Sequence, residues 1–196
     1  MTDSPVVWRQ VRTSIMTLIV LGLLSGCAGR GAPPLEYFSL NTTEPVAEPL
    51  NMPVRVSRVR VPEYIDNDRI WVRENDQRMV SVPGVRWSEP IAPAITRELR
   101  IALGAVMTED RSAPNLLVDI ERLEARWMDD SQIVFLRARW QLDGNPGIGP
   151  QTWEAERTLN DREAESIALA KADLLTALRA EIRRQLSTTL SISGDH

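Results

Sequence analysis

Cys27 is the only thiol of the 196-residue chain, and it closes the tetrapeptide Leu24-Ser25-Gly26-Cys27. A thiol in this setting is the nucleophile that takes up a diacylglyceryl group. The small residues before it suit a peptidase, and the cut frees an amine for further acylation, the chemistry of a bacterial lipobox. The flanks agree. Arg9 and Arg12 form a positive n-region and residues 15–24 an apolar run, about ten residues long, as a secretory signal requires. A spanning helix needs roughly 20 apolar residues, and Gly26, Gly29, Arg30 and Gly31 interrupt the run too early. Residues 1–26 are therefore read as a signal peptide and Cys27 as the lipid attachment site, palmitate included. Each buried CH2 adds roughly 0.8 kcal/mol, so two or three chains make a stable tether. Ala28, and not aspartate, follows the cysteine, which favours sorting to the periplasmic face of the outer membrane.

Other chemistries find little to work with. The one histidine is His196, at the C-terminus, whereas Ser-His-Asp and Cys-His mechanisms need a placed imidazole. Zinc sites need several His or Cys ligands. Asp129 and Asp130 are adjacent acids beside Ser131, a composition typical of turns. Gly144, Gly147 and Gly149 alternate with Pro146 and Pro150 and lack the Lys-Ser/Thr pair of a phosphate loop. Lys plus Arg total 23 against 27 Asp plus Glu, a net charge of −4 with no long run of one sign, so a footprint for nucleic acid is missing. No catalytic residue, metal or cofactor is assigned. With Cys27 committed to lipid, no disulfide forms, and the fold must rest on its core.

The elements follow from hydrophobic period. Residues 27–34, the lipidated cysteine and a Gly/Ala/Pro-rich lead, read as a flexible tether, and residues 35–190 as one periplasmic domain, with residues 191–196 as a polar tail. Residues 36–40 read as a short strand and residues 41–53, with three prolines, as a loop. Residues 54–61 alternate with a phase change between Val56 and Val59, as a bulge requires. Residues 69–73 and 78–82 form a hairpin about Asn75-Asp76. Residues 87–103 have helical spacing, with Ile91, Ile95, Leu99 and Leu103 on one face, Ser88 as N-cap, and a start between Glu89 and Pro93.

Leu116, Val118 and Ile120 alternate and then shift phase to Leu123, Ala125 and Trp127. Val134, Leu136, Ala138, Trp140 and Leu142 give the cleanest period of two, and Trp153 and Ala155 continue it, so three strands form a meander. Asn160 and Glu163 read as a variant capping box opening a helix lined by Ile167, Leu174, Leu178, Ile182 and Leu186, with a polar tail from Ser187. The expected fold class is α+β, a mainly antiparallel sheet with two amphipathic helices packed on one face. Its other face carries Arg137, Arg139 and Gln141 beside Ile133 and Phe135, either solvated or a partner surface.

Residues 54–99 hold Val59-Arg60-Val61-Pro62-Glu63-Tyr64-Ile65-Asp66, then Arg69-Ile70-Trp71-Val72-Arg73, then Trp87-Ser88-Glu89-Pro90 at a helix start. With the lipobox and the Tyr37-Phe38-Ser39-Leu40 strand, this order and spacing resembles the PqiC-like family, auxiliary lipoproteins of ABC-type and MCE transport systems. The resemblance implies a non-catalytic outer-membrane component of an intermembrane lipid transport system that docks the periplasmic lipid conduit; the alternative is a structural lipoprotein assisting outer-membrane assembly, which would share the anchor and the α+β domain. The implied partners are an MCE-domain periplasmic protein with its inner-membrane permease and ATPase, and phospholipid is the implied cargo; a homo-oligomer is compatible with it. Tyr64, Trp71 and Trp87 are the candidate partner-binding residues, to be weighed against a plain packing role.

Overall fold

In β6 (Gln132–Asp143) the residues Val134, Leu136, Ala138, Trp140 and Leu142 are all buried. This is the alternation that puts every second side chain on one face of a strand. The computed structural model describes residues 34–40, 54–75, 77–104, 113–128, 131–143 and 148–193. The signal segment 1–26, Cys27, the lead up to residue 33, the loop 41–53, Asp76, Asp129-Asp130, Gly144, Pro146, Gly147 and His196 lie outside the described residues.

The strand β6 is the middle of a meander with β5 (Asn115–Trp127) and β7 (Gln151–Thr158), antiparallel on both sides. The phase change read in β5 is a bulge at Glu121, where the register passes from Ile120↔Ala138 to Arg122↔Arg137. Ahead of the meander come β1 (Glu36–Phe38), β2 (Arg55–Val56), β3 (Arg69–Arg73) and β4 (Met79–Trp87). All seven join one sheet in the order β1-β4-β3-β5-β6-β7, with β2 beside β5.

This sheet is mixed, which corrects the expected mainly antiparallel class within α+β. The pairs β1/β4, β2/β5 and β3/β5 are parallel, while β3/β4, β5/β6 and β6/β7 are antiparallel. Alternation fixes the face a side chain takes but says nothing of its neighbour's direction. The helix α1 (Ile91–Ala102) stands between β4 and β5, in the segment that carries the chain from one side of β3 to the other, where β5 pairs parallel to it. One edge of β5 therefore meets β2 at Asn115 and Leu116, Arg60 at Asp119, and β3 at Ala125 and Arg126.

The strand expected over residues 54–61 is broken after Val56. Val59 donates its backbone N–H to Thr96 Oγ1 of α1 at 2.9 Å, and Arg60 then rejoins β5, its N–H bonded to Val118 O at 3.0 Å. Helical spacing was read from Trp87, but Trp87 ends β4 and Pro90 occupies the N-cap position of α1. Ser88 does not cap; its N–H donates to Phe38 O at 2.7 Å. Pro93 falls in the first turn, where no intrahelical donor is owed. Asp66 supplies the missing acceptor, taking the Ala92 N–H at 3.3 Å.

The second helix, α2 (Ala164–Ser193), opens with Asp161 Oδ1 accepting from Glu163 N at 3.0 Å in place of the Asn160 box. It also continues past Ser187, where a polar tail was expected. The hydroxyls of Ser187 and Thr188 bond the carbonyls of Arg183 and Arg184, each at 2.9 Å, so these polar residues are satisfied within the helix. Ile91, Ile95 and Leu99 of α1, the five apolar residues read for α2, and the buried positions of β3, β5 and β6 form one core. Within it Arg179 of α2 pairs with Glu98 of α1 at 3.2 Å, both side chains buried.

Candidate functional site

Pro62 begins a single 3-10 turn, Glu63–Ile65, because its fixed φ suits the entry to a tight turn. Ile65 is buried beneath it and pins the turn to the core. Tyr64 points the other way. The residue is 37% exposed, and its hydroxyl donates to Glu124 Oε1 at 2.7 Å. Asn67 then links the turn to β3, accepting on Oδ1 from Arg69 N at 2.9 Å and from Trp71 Nε1 at 3.2 Å. The Arg69 guanidinium lies 5.9 Å from the Trp71 ring centre. Since Ile70 and Val72 are buried, Trp71 and Arg73 take the opposite face of the strand.

Glu124 is the hub of that face. Its side chain is only 3% exposed, yet it lies opposite the core-facing Leu123 and Ala125. Arg73 donates twice to it, Nε to Oε2 at 2.8 Å and Nη2 to Oε1 at 2.9 Å, and Arg126 Nε adds a longer contact of 3.4 Å. Burial alone would push the Glu124 carboxyl up. The hydrogen bonds from Arg73 and Tyr64 outweigh it and hold the group at about 2. The Tyr64 hydroxyl is raised above its ordinary value by its own burial and by its bond to that carboxylate. A carboxylate this far below neutrality is a fixed anion and a poor proton carrier. The cluster is a rigid clasp between the turn, β3 and β5.

Trp87 stands elsewhere. It is 2% exposed and part of the core, so the fold brings Tyr64 and Trp71 together but not Trp87. Over the Trp87 ring, 5.9 Å from its centre, sits the Nζ of Lys171. Lys171 is the only lysine in the sequence beside 22 arginines; it is 1% exposed and donates to Trp71 O at 3.4 Å. Burial pushes its amine down to about 8, opposed by the charge of Glu124.

Sequence reasoning missed Glu124, Arg73 and Lys171. Glu124 falls on the polar phase of β5, and its partners lie 51 and 60 positions away, so periodicity marks it as solvated. For Lys171 a signal existed in its being the single lysine.

No helix among the described residues is long and apolar enough to cross a membrane. Two crystal structures share the fold. An uncharacterised protein aligns with a TM-score of 0.62 at 15% identity, covering 79% of this chain and 99% of its own. Protein XCC0632 from Xanthomonas campestris aligns with a TM-score of 0.62 at 18% identity, over 84% of this chain and 98% of its own. No curated protein matches the sequence. The model of one sequence family matches residues 38–183, which include the Pro62 turn, the Glu124 clasp and most of α2, and it bears out the PqiC-like resemblance read from the motifs. On that match the chain belongs to the family of ABC-type transport auxiliary lipoprotein components.

Proposed function

We propose that the protein is a non-catalytic component of an MCE/ABC-type intermembrane lipid transport system, anchored through Cys27 to the periplasmic face of the outer membrane, where it receives the end of a periplasmic MCE conduit. The observation that carries this reading is the family match over residues 38–183; the lipobox at Cys27 supplies the anchor. A lead of seven residues, 28–34, spans at most roughly 25 Å. The domain therefore stays near its membrane, and a long partner must cover the rest of the periplasm.

Tyr64 and Trp71 form the docking patch. Both are aromatic, both are held by hydrogen bonds to neighbouring side chains, and a preset aromatic side chain loses little freedom when a partner covers it. Trp87 is left out of the patch because its side chain is buried.

The test is a pull-down from native envelopes with a C-terminally tagged, lipidated chain, with mass spectrometry of proteins and lipids. Recovery of an MCE-domain protein with phospholipid is expected. Loss of that capture in Trp71→Ala, at an unchanged thermal midpoint, would assign docking to the patch. Recovery of outer-membrane assembly machinery alone would overturn the transport reading.

A further inference from the structure

The carboxyl ends of β3 and β5 lie side by side because the strands run parallel, with Arg73 paired to Arg126 in register. Beside them opens a cavity of about 340 Å³ lined by Arg73, Asn75, Arg122, Arg126, Trp127 and Met128. Small-molecule sites fall at roughly 300–1,000 Å³, so its size suits a headgroup.

Among the described residues, the charged side chains of its lining are all cationic. Arg73 and Arg126 share the single carboxylate of Glu124. Arg126 gives it only the long 3.4 Å contact, and its guanidinium stacks 4.8 Å from the Phe135 ring centre. Arg122 is exposed and makes no ion pair with a described residue. Across the register it faces Arg137, which is already paired with Glu121 and Glu154. Asp76 and Asp129 adjoin lining residues in sequence, and with Asp130 they lie outside the described residues. The same wall carries an apolar step, since Met128 is 47% exposed and Trp127 adjoins it under the Arg162 guanidinium, 5.1 Å from its ring centre.

The geometry points to a binding site for the phosphodiester headgroup of an acidic phospholipid, its oxyanion against Arg122 and Arg126 and its glycerol and first acyl carbons against Trp127 and Met128. Guanidinium groups match phosphate oxygens in both charge and fork geometry. The apolar step is what separates a lipid headgroup from free phosphate. This deepens the transport reading and rests on it for the class of cargo.

The full-length lipidated protein in nonionic detergent is titrated with dihexanoylphosphatidylglycerol, dihexanoylphosphatidylcholine and inorganic phosphate, followed by tryptophan fluorescence and calorimetry. Saturable binding of the glycerol lipid is expected, tighter than either comparison ligand by about tenfold or more, and weaker by about tenfold in Arg122→Gln. Arg122→Gln leaves the Glu124 clasp in place, so its thermal midpoint should not move. Phosphate or the choline lipid binding as tightly as the glycerol lipid would overturn the site, as would unchanged binding in Arg122→Gln. A wild-type chain that captures an MCE partner yet binds no phosphatidylglycerol sinks this site alone. One that binds phosphatidylglycerol but captures no MCE protein upholds the site and sinks the transport reading.

Discussion

Glu124 stores a pH dependence that can be worked out in sign and size. Its carboxyl titrates near 4.5 in a free chain and at about 2 in the fold. A depressed carboxylate stabilises the folded state fully above its unfolded value and loses that contribution as pH falls toward its folded value. The window is therefore pH 4.5 down to about 2. At about 1.4 kcal/mol per pH unit the contribution is on the order of 3 kcal/mol. Glu124→Gln should lower stability at pH 7 by about 2–3 kcal/mol, since it leaves the Arg73 guanidinium unmatched, and should flatten the acid limb. Urea midpoints measured from pH 7 to pH 2 check this; an acid limb as steep as that of the wild type would refute it. The Tyr64 motif was legible in sequence because Pro62-Glu63-Tyr64-Ile65-Asp66 is contiguous. Its acceptor was not, because a partner 60 positions distant is set by which strands become neighbours, and local pattern does not encode that.

The elements themselves were mostly legible, and the misses share one cause. Period two located β5, β6 and β7, and even the Glu121 bulge, because each side chain records the face it takes. What failed were features decided by tertiary bonds. The run after Val56 leaves the strand to reach Thr96, α1 is capped by Asp66 from a distant turn, and half of the strand pairings are parallel. The junction of the two helices makes a prediction at this scale. Glu98 and Arg179 are a buried pair, and removing Arg179 takes the 3.2 Å partner from Glu98 and leaves it the longer 3.6 Å contact with Arg97. Arg179→Met alone should cost about 3–5 kcal/mol, whereas Glu98→Leu with Arg179→Met should recover most of that loss. A double-mutant cycle by chemical denaturation measures it; a double variant as unstable as the single one would show that the pair is not an isolated unit.

For the molecule as a whole, the anchor proposed at Cys27 would decide where every other property operates. Cys27→Ser is expected to abolish incorporation of labelled palmitate and to move the chain from the membrane to the soluble fraction, at an unchanged thermal midpoint, because residues 38–183 carry the family domain on their own side of the lead. Fractionation with metabolic labelling reads this directly, and a Cys27→Ser chain that stays on the membrane would mean that something other than lipid holds it. Lys171 has a last consequence. It is the one lysine of the sequence and it is sealed beneath α2 against the Trp87 ring. On the proposed cleavage before Cys27 and acylation of its amine, the folded chain would offer solvent no primary amine. Amine-reactive cross-linkers would leave it out of any map of envelope neighbours, and a lysine-specific protease would have a single bond to cut, out of reach until the fold opens. The rate at which an amine reagent marks the protein then tracks the population of opened chain, and equals the opening rate where the reagent reacts faster than the fold recloses.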